Sequence, residues 1–548
     1  GIALTRYNTD GNPDYEFQWP GEPGKADKTE YCGHCHVSIL NQWWGSAHRS
    51  SASNPIVHDL YAGTASAFAD ASACVAAGGQ WKQGLIPGTA QPGYRCYLGQ
   101  GALQDLNPGC DNGHATCDGT VENTGECAAC HAPAINGGLV DRDLLDATGW
   151  AYKGGVQCDT CHRVEGVDPN ASGSAFAGKL KTILPNEPPK VEGIGKYAPL
   201  TFGPGHDSVN LRMGSVQRDH FHQSELCAGC HELNIGDLPI QSTYTEWKNS
   251  PFAGVTPCQS CHMEPNPSVT NSADQQNNGL AKIGVVAGWL RQPGHVNKHT
   301  FVGPRTQDGK MLENSVALFA NAEKLPDDTI RVAVTTKNTG AGHALPTGEP
   351  MRHMVLEVEA LCDGEVITAY GGIATPGFAG YEDRKNDTVN WDQWAGAQPG
   401  DMIRVVQRTP DFHDYPHPGP NGDNLSPADK GLPYDEYRGQ RTVVAMEGSM
   451  VVLDAPLPEG NLAYRIKPDA LQSAGAPGFA FARVLNAPES EHMVFHTSAT
   501  AIVSDNRLPP QAEYTTTHDF AADCPAPEFR ARLMYRPYAP RIAQDKSW

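Results

Sequence analysis

The sequence predicts a loop-rich, mainly irregular and α-helical domain over residues 1–310, followed by an all-β domain, an antiparallel sandwich, over residues 311–548. Three observations carry this. Gly (58) and Pro (43) are abundant in the 548 residues and aliphatic residues are sparse, which disfavours long packed helices. Ten of the 16 cysteines recur in one short pattern, and all ten lie before residue 262. From about residue 313 onward, TIRVAVTTK, MVLEVEALC, RTVVAMEGSMVVLD, NLAYRIK and RARLMYR alternate β-branched or apolar residues with polar ones between turn-rich spacers. The chain is long enough for two cores. A long irregular excursion is expected around 378–440.

The repeated pattern is Cys-x-x-Cys-His. It occurs as CGHCH (Cys32, Cys35, His36), CAACH (Cys127, Cys130, His131), CDTCH (Cys158, Cys161, His162), CAGCH (Cys227, Cys230, His231) and CQSCH (Cys258, Cys261, His262). Two thiols three residues apart can each add to one vinyl group of a single porphyrin, and the next histidine is then placed to bind the iron. A zinc site needs no histidine after every second cysteine, and a thioredoxin-like redox motif does not recur five times. Five covalently bound c-type haems are therefore expected, each with one motif histidine on its iron.

Six cysteines remain: Cys74, Cys96, Cys110, Cys117, Cys362 and Cys524. The chemistry of the motifs belongs outside the cytoplasm, where an even remainder favours disulfides. Fifteen pairings are formally open; proximity suggests Cys74–Cys96 and Cys110–Cys117, stapling the stretch 73–118, with Cys362–Cys524 tying the C-terminal region.

Charge narrows the partners. With 41 Lys+Arg against 62 Asp+Glu, the net charge of −21 argues against nucleic acid and anionic membrane surfaces. No run approaches the roughly 18 apolar residues of a membrane span. The chain opens at Gly1 without a charged-then-apolar leader, so export would require a signal already removed. No nucleophile elbow, P-loop or dinucleotide fingerprint is present, and no motif ends in lysine.

Internal echoes organise the first domain. Cys127 and Cys158 are 31 residues apart, as are Cys227 and Cys258, which suggests two copies of one unit, each holding a pair of haems. QWWGSAH after the first motif matches EWKNSPF between the last two, with Trp43, Ser46 and His48 aligned to Trp247, Ser250 and Phe252. A CxxCH followed by W-x-x-S-x-H, the GVQCDTCHRV segment and the ELCAGCHE…TYTEWKNSPF…CQSCHM block resemble the cytochrome c554-like multihaem cytochromes. The resemblance covers most of 30–305, with 73–118 as an insertion. NTGAGHALPTG, Arg352 and the closing RARLMYRPYAP resemble the β-domain appended to many large secreted multihaem cytochromes. The resemblance implies an exported electron carrier with closely stacked haems, and some such proteins polymerise into extracellular filaments.

The functional question then becomes a count of second axial ligands. A second histidine gives a six-coordinate, low-spin iron suited to electron transfer, whereas a missing one leaves a position for substrate. The resemblance points to His48, in W-x-x-S-x-H, and to His299, in H-x-F-x-G, ahead of His295. His222, five residues before Cys227, is chosen over its rival His220; His206 follows from its turn-rich segment TFGPGHDS between motifs. His343 completes the five: it sits between two strand-like runs, with Gly340 and Gly342 expected to let the backbone approach a porphyrin and Pro346 and Gly348 to hold the loop. His58 and His114 stand in reserve, and His413, His417, His492, His496 and His518 have no such context.

These readings favour a pentahaem carrier that works with a redox protein or an extracellular electron acceptor. It would be extracellular or at the cell surface, with the periplasm as second choice, and would self-associate head to tail. The main alternative is a redox enzyme acting on a small nitrogen or sulfur species at one five-coordinate haem. A surface- or polysaccharide-binding module that merely carries haems rests on the β-domain alone.

Overall fold

A computed structural model describes residues 11–12, 14–25, 31–99, 101, 127–135, 139, 142–173, 175–185, 200–206, 208–209, 214–235, 237–273, 291–306, 310–386, 390–408, 435–468, 471–486, 494–496 and 499–548. The chain forms two compact units: Gly1–Asn234 with Phe252–Gln307, and Ile235–Pro251 with Asp308–Trp548. It passes between them at 234/235, 251/252 and 307/308. The segment Ile235–Pro251, which the sequence reading keeps in the first domain, goes with the second unit. Its Ile240 is fully buried with Leu485 and Val494, which explains the allegiance.

The first unit is built of short pieces. Helices such as Val37–Trp44 and Pro55–Ala62 alternate with turns and two- or three-stranded ribbons. Asn54 caps the second of these by accepting from the Ile56 N–H at 3.0 Å, Pro55 opens it and Gly63, at φ 71°, ends it. Within the insertion, Gln80–Ile86 pairs antiparallel with Gln91–Tyr97, and the Cys74–Cys96 disulfide ties the helix Ala71–Ala76 to this hairpin. Cys110 and Cys117 lie outside the described residues. No helix among the described residues is long and apolar enough to cross a membrane.

Among the described residues, the second unit holds three antiparallel sheets of four or five strands. One has the order Val316–Lys324, Thr329–Asn338, Glu513–Ala521, Ala369–Gly372. Its period-two pattern is complete along Thr329–Asn338, where Ile330, Val332, Val334, Thr336 and Asn338 are buried and their neighbours are not. Another centres on His353–Cys362, paired with Gly478–Asn486 and Glu528–Arg536. Side chains from both sheets, among them Val332, Val334, Leu356, Val358, Phe479, Phe481, Tyr514 and Phe520, share one apolar core. Cys362–Cys524 closes a 162-residue separation across it.

The third sheet runs Asp383–Lys385, Leu462–Ile466, Met402–Arg408, Asp435–Glu447, Met450–Leu453. Much of it falls where an irregular excursion is expected. Met402–Arg408 makes the strand because Ile403, Val405 and Val406 are buried, and a second cluster gathers Trp391, Trp394, Ile403, Val405, Val443 and Val451.

Candidate haem centres

Each of the five motifs forms a short helix: Cys32–Cys35, with His36 as its cap, then Cys127–His131, Cys158–His162, Glu225–His231 and Cys258–His262. One helical turn brings the first cysteine, the second cysteine and the histidine round to a common side. None of the ten motif cysteines is spent in a disulfide, whereas Cys74, Cys96, Cys362 and Cys524 are.

Three motif histidines are oriented in the same way. The Nδ1–H of His36 donates to the Ser272 carbonyl (2.6 Å), that of His162 to Phe202 (2.7 Å) and that of His262 to Val302 (2.7 Å). A carbonyl on Nδ1 selects the tautomer with its lone pair on Nε2 and fixes the ring plane, as metal-binding histidines require. These residues fit a covalently held haem: thiols for the vinyl groups and an oriented Nε2 for the iron.

The motifs also meet one another. The Cys158 thiol is hydrogen-bonded with Cys32, Cys230 with Cys130, and Cys227 with Cys258. The bond to Cys258 and burial push Cys227 well up, whereas receiving that bond holds Cys258 at about 7. Cys161 lies within electrostatic reach of Cys227 and Cys230. The fourth and fifth motifs thus adjoin as their 31-residue spacing suggests. The second and third each make a thiol contact outside their own pair.

A buried ion pair sits inside the third motif. Asp159 and Arg163 are 2.9 Å apart, and the same carboxylate accepts from the Tyr15 hydroxyl (2.8 Å) and the Gln18 N–H (2.9 Å). Arg163 also donates to the Leu200 carbonyl and to Tyr15. Burial and then Asp159 push the Tyr15 phenol far up. The network ties residues 15–18 to the motif without introducing net charge.

The second-ligand candidates divide by placement. His48 is packed edge-on against Phe301 (4.3 Å) and near the His231 ring, and its buried Nδ1 has no hydrogen-bond partner. Burial, then His262, holds it neutral with a pKa of about 4. His299 donates from Nδ1 to the Asn297 carbonyl (3.0 Å), while its N–H is taken by Gln42 (2.9 Å). Burial, then His162, brings its pKa to about 4; His36 also lies within reach. His206 and His222 are exposed, as is His295. His220 is buried, and so is His58, whose Nε2 bonds the Ala52 carbonyl (2.7 Å) while its Nδ1 is without a partner. His114, His413, His417 and His492 lie outside the described residues; His496 pairs with Glu349 (2.9 Å).

His343 lies in a loop held from several sides. The Asn338 amide donates to the His343 carbonyl (2.9 Å) and accepts from Ala341 N–H (3.0 Å), and Leu345 and Leu508 exchange two backbone bonds of 2.9 Å. The His343 Nδ1–H donates to the Ala344 carbonyl (2.9 Å). Gly340 is needed for a nearer reason than porphyrin approach: a Cβ there would stand 2.3 Å from the Asn314 carbonyl oxygen.

A residue with no signal in the sequence anchors this loop. Glu246, on the helix Thr243–Lys248 between the fourth and fifth motifs, accepts from Thr347 Oγ1 (2.7 Å) and Ala344 N–H (3.2 Å). It pairs with Arg507 (2.6 Å) and Arg483 (3.7 Å), and Asp505 takes both arginines from the other side at 2.7 and 2.8 Å. Burial pushes the Glu246 carboxyl up, but Arg507, Thr347 and Arg483 outweigh it and hold it below the usual range.

No family model and no curated protein matches the chain. Among solved structures, the crystal structure of a penta-heme cytochrome c552 from Thermochromatium tepidum aligns with a TM-score of 0.45 and 17% identity, over 94% of this chain and 92% of that one.

Proposed function

We propose that the protein is an exported c-type cytochrome that holds five haems through its ten motif cysteines and carries electrons among them. The observation that carries this reading is the meeting of attachment thiols, Cys32 with Cys158, Cys130 with Cys230 and Cys227 with Cys258. Adjoining attachment points suit a relay, and an isolated redox site has no need of them. Bound haem supplies reversible one-electron exchange at iron. The chain would do the rest: the motif cysteines would fix the haems in position, backbone carbonyls orient the imidazoles of His36, His162 and His262, and second histidines would supply a further nitrogen to iron.

Two disulfides in the described residues support an oxidising compartment, hence an extracellular or cell-surface location with the periplasm as second choice. The electron partner is then a redox protein or an extracellular acceptor. Head-to-tail self-association into a filament belongs to the same reading through the resemblance described above. Light scattering that finds only monomers at high concentration removes that part.

The test of the main reading is intact mass after denaturation, which should retain five haems, together with the ferric spectrum. A wholly low-spin spectrum unmoved by cyanide or nitrite is the expected result. A high-spin fraction that shifts with either would replace the carrier by an enzyme acting on a small nitrogen species. Fewer than five retained haems would end the stoichiometry.

A further inference from the structure

Asp219–His222 is a single 3-10 turn just ahead of the fourth motif's helix, and it carries two histidines two residues apart. Such a turn sends them to different sides. His220 goes inward, at 6% exposure, and His222 outward.

The turn is fastened to three motifs. Gln259, inside the fifth, donates from Nε2 to the Gln223 carbonyl (2.7 Å) and the Phe221 carbonyl (3.3 Å). Cys258 N–H donates to Ser224 Oγ (3.0 Å), and Ser224 begins the helix of the fourth. The Phe221 ring stacks on His162 of the third, at 5.3 Å and 15°. His220 itself bonds the carbonyl of Val164, two residues beyond His162. Its Nε2 is buried and has no hydrogen-bond partner.

A buried imidazole nitrogen with no partner loses its hydration without compensation, so some other interaction has to repay it. With the first ring nitrogen held as a donor to a carbonyl, Nε2 carries the lone pair, as for His36, His162 and His262. We infer that His220, rather than His222, is an axial ligand to the iron of one of the motif haems. The inference rests on the haem reading above. The clamps at Gln259, Ser224 and Val164 keep the ring from turning, and rigid support of this kind is what a ligand position needs. His222, two residues on, is exposed to solvent, so its ring has no buried nitrogen to compensate.

The test compares His220→Ala and His222→Ala as purified holoproteins. Haem is counted by the pyridine haemochrome, which reports covalent attachment and not axial ligation. A wild-type count below five would strike at the haem reading itself and leave the two variants uninterpreted in its terms, so the two failures are distinguishable. With five haems present, ferric electron paramagnetic resonance of His220→Ala should show one haem in five gone high-spin and binding cyanide, with added imidazole restoring the low-spin signal. His222→Ala should match wild type. An unchanged His220→Ala spectrum, or the high-spin signal in His222→Ala instead, overturns the assignment. If the alanine variant does not accumulate, His220→Met supplies a thioether ligand in its place. One haem should then stay low-spin at a raised potential, and an unaltered redox titration overturns the inference equally.

Discussion

The imidazole rings of His48 and His231 stand 6.2 Å apart, centroid to centroid, with their planes inclined at 56°. A metal–nitrogen bond of about 2 Å, plus roughly 1 Å from nitrogen to ring centre on each side, places two imidazoles on opposite faces of one iron about 6 Å apart. His231 is the histidine of the fourth motif, so we propose His48 as the second ligand there. His48→Ala should convert one haem to high-spin with the covalent haem count unchanged, read by electron paramagnetic resonance. If His48 only packs on Phe301, the variant will lose stability and keep its spectrum.

The Glu246 cluster predicts a stability effect. Removing this carboxylate leaves Arg507 and Arg483, both largely buried, with Asp505 as their remaining acidic partner. Breaking a buried pair from one side costs about 3 kcal/mol or more. Glu246→Ala should lower the denaturation midpoint accordingly, and Glu246→Gln, which keeps an acceptor for Thr347, should lose less. Equal losses in the two variants would show that charge alone matters.

The attachment chemistry is legible in the sequence because a Cys-x-x-Cys-His site is contained in five consecutive residues. The second ligands are not, because they depend on which way a side chain leaves its turn. His220 and His222 sit two residues apart on one turn, and what separates them, the burial of His220 and its unpartnered Nε2, shows only in the fold. Glu246 is harder still: its partners Thr347 and Arg507 lie 101 and 261 residues away, and the sequence reading places its segment in the other domain. With the motif cysteines set aside fifteen pairings stay open, and proximity along the chain is what points to the disulfides Cys74–Cys96 and Cys362–Cys524. Of the third sheet, RTVVAMEGSMVVLD and NLAYRIK are legible as strands, whereas Asp383–Lys385 is too short for a period to show.

Acid should destabilise the second unit. His353 and His518 are fully buried, and burial holds them neutral, at about 3 and about 4 against the usual 6.5. Unfolded, each takes up a proton below pH 6.5 that the folded state refuses, so the unfolded state binds more protons and stability falls as pH drops. Asp505 has the same sign: burial opposes its charge, but Arg507 and Arg483 hold it at about 2 against 3.8. Stability should be full above pH 6.5 and decline between pH 6.5 and 3, with the Asp505 contribution lost from about 4 down to 2. Replacing His353 by Gln should flatten the upper part of this decline in urea melts across pH; an unchanged slope would remove His353 as its source.

His343 remains the candidate whose assignment most needs experiment. Its loop is rigid for reasons found in its own unit: the Asn338 amide on either side of the turn, the paired Leu345 and Leu508 backbones, and Glu246 on Thr347 and Ala344. Its Nδ1–H donates to the Ala344 carbonyl. We propose that His343 is an axial ligand to a haem. His343→Ala should then turn one haem high-spin or shift its potential, and Glu246→Gln, by loosening the same loop, should shift that potential in the same direction by a smaller amount. A His343→Ala protein with every haem low-spin and all potentials unchanged would show that the loop is only a loop. The ligand would then be sought at His58, which is 2% exposed and has a buried Nδ1 without a partner.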